Sequence, residues 1–181
     1  MAEPLDFRDC IYCFPVESGQ PPIYVVFNTP YDGATTRGTY SGRPYNPAKA
    51  GGPTLDLEWT GASVTQEGLE LVKLHRGRFG ASDGNAVMID RLRKIIEGEL
   101  AITDTDKRYY THELRELERY RALGVPDGVR PEDDFIWNDT HTATLEDYKL
   151  GDNIELLYTP EALEADELQS LREYNSGKYN K

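Results

Sequence analysis

Between residues 82 and 96, Met88, Ile89, Leu92, Ile95 and Ile96 recur at the i, i+1, i+4, i+7, i+8 spacing of a helix with one buried face. Ser82 or Asp83 supplies the N-cap. This helix must bury its stripe against other elements, and the sequence around it offers helices to do so. Thr65 caps a helix expected over 66–74. Another is expected over 105–123, stopped by Gly124 ahead of Pro126, and a further one over 140–150, ended by Gly151. Thr159 followed by Pro160 opens the last, running to about residue 174. Upstream the pattern changes. Residues 10–16 and 22–28 read as two strands of a hairpin, 29–53 as a long Gly-, Pro- and Tyr-rich loop, and 54–60 as a half-buried strand of alternating character. The class is α+β: a small N-terminal β-hairpin or sheet, then a mainly helical body of about five helices.

A chain of 181 residues fits one such domain. No apolar run approaches the ~20 residues of a membrane span, and the opening Met-Ala-Glu-Pro-Leu-Asp lacks the basic and apolar regions of a signal peptide. The expectation is a soluble chain with no membrane span. Cys10 and Cys13 form a C-x-x-C, but three residues apart on a strand they point to opposite faces, and there is no second pair to complete a zinc site. They read as two unlinked thiols. The net charge of −12 is uneven: residues 66–130 carry twelve acids and twelve bases, leaving twenty acids against eight bases elsewhere. That balance opposes loose binding to long nucleic acid and suits docking to a basic partner.

Ionisable residues on apolar helix faces mark the candidate site. At about 100° per residue, the 105–123 helix places Tyr110, Leu114, Leu117 and Tyr120 on one face, with Glu113 and Arg121 among them. His112, Glu116 and Arg119 fall on the far face, where Glu116 can pair with His112 along the surface. On the next helix Trp137, His141, Leu145 and Tyr148 share a stripe. With Asn138, Asp139 or Thr140 as cap, His141 sits in the first turn, where the helix dipole favours a neutral imidazole. His75, Arg76 and Arg78 form a cationic patch suited to phosphate, or a solvated basic turn. There is no H-E-x-x-H, Walker loop or G-x-S-x-G; a split set of His112, Glu116 and His141 is the one candidate for a divalent ion. The competing reading is that Glu113, Arg121 and His141 are polar residues of the core that fix its packing.

Residues 6–27, which open Asp-Phe-Arg-Asp-Cys-Ile-Tyr-Cys-Phe-Pro-Val, resemble the end of the S-type pyocin domain. The remainder resembles C-terminal toxin modules of pyocin-like and Rhs-like polymorphic toxins. Its Tyr-Ser-Gly-Arg-Pro-Tyr-Asn-Pro (40–47), Lys-Leu-His-Arg-Gly-Arg-Phe (73–79), Tyr-Thr-His-Glu (110–113) and Trp-Asn-Asp-Thr-His-Thr-Ala-Thr-Leu-Glu-Asp-Tyr (137–148) carry the likeness. The resemblance implies a pyocin-like region over 1–28, a cytotoxic domain over 29–181, and a larger parent toxin. It implies a protein secreted by its producer, acting in the cytoplasm of competing bacteria and neutralised by a cognate immunity protein. Nuclease action is the family's commonest lethal chemistry, with DNA favoured as substrate; this sequence departs from the HNH pattern and the basicity of the familiar DNase pyocins. The alternatives are an enzyme acting on RNA or a small nucleotide, or a non-catalytic interaction domain. For a nuclease the expected catalytic residues are His141, His112 and Glu113. His75, Arg76, Arg78 and Arg121 would bind substrate, and a divalent metal ion is an open cofactor.

Overall fold

The computed structural model describes residues 31–176 apart from 32 and 134. The hairpin expected over 10–28, with Cys10 and Cys13, lies outside the described residues. The helices follow the sequence signals. Helix α1 (Gln66–Gly77) begins after Thr65, whose side chain accepts from the Gly68 amide. Helix α2 (Asp83–Ile96) begins after Ser82, which accepts from Asn85. Helix α3 (Asp104–Ala122) opens with a capping box between Thr103 and Asp106, and Gly124 follows it at φ 76°. Helix α4 is Phe135–Asp147, and α5 (Pro160–Asn175) is capped by Thr159.

Helices α1, α2, α3 and α5 enclose the main core, built from Leu69, Val72, Met88, Leu92, Tyr109, Tyr110 and Ala162. Two phenols here keep hydrogen-bond partners: Tyr109 and Tyr158 both donate to Asn85 Oδ1, at 2.9 and 2.7 Å. Helix α4 packs on the other side of α3, so α3 has two buried faces. That corrects the expectation of a surface-facing His112, Glu116 and Arg119: all three are buried.

The strands differ from expectation. Among the described residues the sheet is a two-residue antiparallel pair, β1 (Thr36–Arg37) and β2 (Pro44–Tyr45), with Thr36 opposite Tyr45. It forms inside the segment read as loop. Residues 54–60 are irregular. Leu57 and Trp59 turn inward as their alternation suggests, but no neighbouring strand meets them, and the backbone bonds to α4 instead. Leu57 N donates to the Asp147 carbonyl and Leu55 N to Asp147 Oδ1.

Helix α4 also starts five residues earlier than expected, at Phe135, whose amide donates to Asp133 Oδ1 at 2.9 Å. The residues that read as caps face the wrapping loop: Asn138 Nδ2 donates to Pro44 O, and Asp139 accepts from Asn46 N. His141 is therefore mid-helix, and the first-turn dipole argument does not apply to it. At the far end Lys149, not Gly151, takes the left-handed conformation, at φ 55°.

The polar load of α4 has a structural logic. The segment between residues 31 and 64 has almost no sheet to satisfy its amides, and buried amides need acceptors. Helix α4 supplies carboxylates. Glu146 accepts from the amides of Thr39, Tyr40 and Ser41 and from Ser41 Oγ. Gly38 lies so close to that carboxylate that a Cβ would have no room. Asp147 meets Arg119 at 2.6 Å and Arg115 at 2.8 Å. Arg119 also donates to the carbonyls of Ala50, Gly52, Pro53 and Ala143.

Candidate functional site

All three histidines of the chain converge on one buried carboxylate. Glu116, from the middle of α3, is fully buried, and so is His112 one turn before it. His112 Nε2 lies 3.1 Å from Glu116 Oε2 and 3.0 Å from His141 Nδ1, which reaches in from α4. His141 Nδ1 is 3.6 Å from the same Glu116 oxygen. On the opposite side His75, in the last turn of α1, brings Nε2 to 3.7 Å from Glu116 Oε1 and 3.9 Å from Glu113 Oε2. Arg76 NH1 stands 3.6 Å from that Glu113 oxygen.

Few of these contacts are hydrogen bonds, and the shortfall is concentrated here. Both ring nitrogens of His75, His112 Nδ1, Glu113 Oε2 and Glu116 Oε1 are buried without a hydrogen-bond partner. Leaving such groups unpaired costs on the order of 1–3 kcal/mol each, more when charged. Burial alone would raise the Glu116 carboxyl, but the surrounding imidazoles outweigh it and hold the group well below the usual carboxylate range. Burial lowers His141, with Glu116 opposing. For Arg76 burial is offset by Glu113 and other acidic neighbours, so the guanidinium stays charged.

The cluster forms one wall of a cleft of about 470 Å³. Arg76, Glu113 and His141 line it from the cluster side, Arg130 and Asp133 from the α3–α4 connection, and Phe79, Tyr120, Trp137 and Tyr158 give it aromatic walls. Trp137 stacks on His141, with ring centroids 4.9 Å apart and planes 17° from parallel. A second cavity of about 180 Å³ adjoins on the other side of Trp137 and His141 and reaches Arg43. The His141 ring turns Nδ1 inward to His112 and Glu116, which leaves Nε2 as its other polar edge.

The structure thus brings together five of the seven residues singled out from sequence: His75, Arg76, His112, Glu113 and His141. It does not bring in the other two. Arg121 is exposed and pairs with Asp127 at 2.8 Å, because the helix end turns it away from the core. Arg78 is buried, not solvated, and donates to the carbonyls of His75 and Val129 while lying over the Tyr120 ring. It braces the end of α1 and does not line the cleft. The basic-turn alternative fails for His75 too, which is fully buried. Glu113 meets His75 and Arg76, and the carboxylate beside His141 is Glu116. The 112/116 spacing was the signal for Glu116, but a single-faced reading of α3 sends it to the surface. Arg130 and Asp133 carry no sequence signal, since loop residues of these types are common everywhere, and of the aromatic walls Tyr120 and Trp137 read only as members of apolar stripes.

Residues 1–26 match the S-type Pyocin family model, a stretch that ends before the first described residue. The N-terminal region is S-type pyocin-like. That match supports a bacteriocin-type toxin context. No curated protein and no solved structure matches the chain. Among the described residues no helix is long and apolar enough to cross a membrane.

Proposed function

We propose that residues 29–181 are a cytotoxic domain that hydrolyses phosphodiester bonds of nucleic acid, DNA foremost, in the cytoplasm of competing bacteria. The observation that carries this reading is the convergence of three histidines and Glu116 at the wall of a cleft that also presents Arg76. A phosphodiester needs a cation for its non-bridging oxygens and a group that deprotonates water. Arg76, held charged against Glu113, and Arg130 supply the first; the imidazole–carboxylate cluster supplies the second. The water oxygen bonds to phosphorus and the bond to the leaving sugar oxygen breaks. The water's proton passes to the cluster, and the leaving alkoxide takes up a proton from solvent or a cleft acid. The aromatic walls suit an unstacked base. A cognate immunity protein would protect the producer by covering this cleft.

The test is to incubate the purified chain with plasmid DNA, single-stranded DNA, total RNA and nucleoside triphosphates, with and without divalent cations. Cleavage of DNA that is lost in His141→Ala supports the proposal. Cleavage of RNA alone would move it to that polymer, and turnover of the triphosphates alone to a small nucleotide target, which suits the −12 charge. No turnover of any substrate in any condition would sink it.

A further inference from the structure

We infer that His112 Nε2, Glu116 Oε2 and His141 Nδ1 are the three protein ligands of a single divalent cation of the nitrogen-preferring class, zinc or its first-row neighbours. These atoms come from two helices and lie 3.0, 3.1 and 3.6 Å from one another. Ligands about 2.1 Å from one tetrahedral ion stand about 3.4 Å apart, so the observed triangle brackets the spacing an ion requires. Hydrogen bonding alone serves this triangle poorly. One imidazole nitrogen carries either one hydrogen or one lone pair, and His112 Nε2 faces two polar atoms at bonding distance. A cation at the centre uses one lone pair from each of the three. Two imidazoles and one carboxylate select zinc-like ions over Mg²⁺ or Ca²⁺, which prefer oxygen.

The remaining groups fit around such an ion without joining it. Glu116 Oε1, buried and unpartnered, faces away from the triangle toward His75 Nε2 at 3.7 Å. That second trio, His75, Glu113 and Glu116, already has the Arg76 guanidinium 3.6 Å from Glu113, a charge that opposes a second cation there. One ion per chain is therefore expected. Of the three ligands His141 alone lines the cleft, and its Nδ1 faces inward to His112 and Glu116, so the ion would sit directly behind the cleft wall. The ion's role in generating hydroxide rests on the hydrolytic reading above; its binding does not.

The experiment is calorimetric titration of the chelator-stripped full chain with Zn²⁺, and separately with Mg²⁺, checking the fold of every variant by circular dichroism. Zn²⁺ is expected to bind at one ion per chain, with Mg²⁺ giving no heat at the same concentration. Loss of a supporting partner alone costs about 10–100-fold in metal affinity, so His141→Ala, which removes a ligand, should weaken Zn²⁺ by more than about 100-fold. His112→Asn, a conservative second variant should His141→Ala misfold, should do the same. His75→Asn should leave the stoichiometry at one. Absence of Zn²⁺ binding, binding unchanged in folded ligand variants, or two ions per chain would overturn the inference. Zn²⁺ binding without cleavage would remove the nuclease reading and leave the metal site. Cleavage unaffected by stripping, together with no Zn²⁺ binding, would do the reverse.

Discussion

At the scale of single residues, the same side-chain chemistry has opposite meanings at different depths. Arg121 and Arg119 are two positions apart on α3; the first is exposed against Asp127, the second is buried against Asp147, three loop carbonyls and the Ala143 carbonyl of α4. Surface ion pairs contribute little and buried ones are costly to break. Arg121→Ala should therefore leave the melting temperature and any cleavage unchanged within about twofold. Arg119→Met, by contrast, should cost on the order of 3–5 kcal/mol in urea denaturation, because it removes one of the two cations on buried Asp147 and strands the carbonyls of the wrapping loop. For the site, His141→Ala should lower turnover at least about 100-fold while the chain stays folded, since general-base or metal-ligand roles are worth that much. A fall in activity that merely tracks lost folded protein would instead favour the core-packing reading. Glu113 was legible as an inward acid because it breaks an apolar stripe. Glu116 was not, because polarity on the face opposite a stripe ordinarily means water.

At the scale of elements, caps and periodicity placed α1, α2, α3 and α5 to within a few residues, since both signals act over one or two turns. The capping box of α3 also yields a pH prediction. Asp106 is buried; burial would raise its carboxyl, but Arg91, bonded at 2.8 Å, and Thr103 outweigh this and lower it. A depressed folded-state value means the contribution is present above the unfolded value of about 3.9 and is lost as pH falls through the folded one. Asp106→Asn should cost roughly 2 kcal/mol at pH 7, and the difference from the parent chain should close in urea titrations taken progressively below pH 4. The start of helix α4, five residues before the expected one, escaped the sequence reading because the buried faces of the helix are polar. Its carboxylates serve as acceptors for loop amides, a use that has no period. Glu146→Gln should accordingly raise hydrogen exchange at the Thr39, Tyr40 and Ser41 amides by more than about tenfold, as charge-assisted bonds worth 1.5–3 kcal/mol weaken, with little change in the α1–α2 core.

At the scale of the whole molecule, charge and shape set the limits of function. A chain of net charge −12 cannot track a polyanion by long-range attraction, so affinity must come from a few cations at the cleft. With Arg76 and Arg130 as phosphate contacts, the salt dependence of binding should be shallow, a log–log slope of about −1.4 to −1.8, measured by fluorescence anisotropy with a labelled oligonucleotide. A much steeper slope would reveal a basic surface beyond this cleft. The class, the helix count and four of the helix positions were determined by the sequence alone, because caps, stripes and glycine stops are local and repeat within one turn. The pyocin-like start was legible for the same reason: it is a contiguous run of residue types. Which polar residues meet was decided only by tertiary structure. His75, His112, Glu116 and His141 are up to 66 positions apart on three helices, and whether a face is wet or buried depends on what packs against it. The second buried face of α3 exists only because α4 and its wrapping loop cover it, and that covering turns an expected surface pair into the centre of the site.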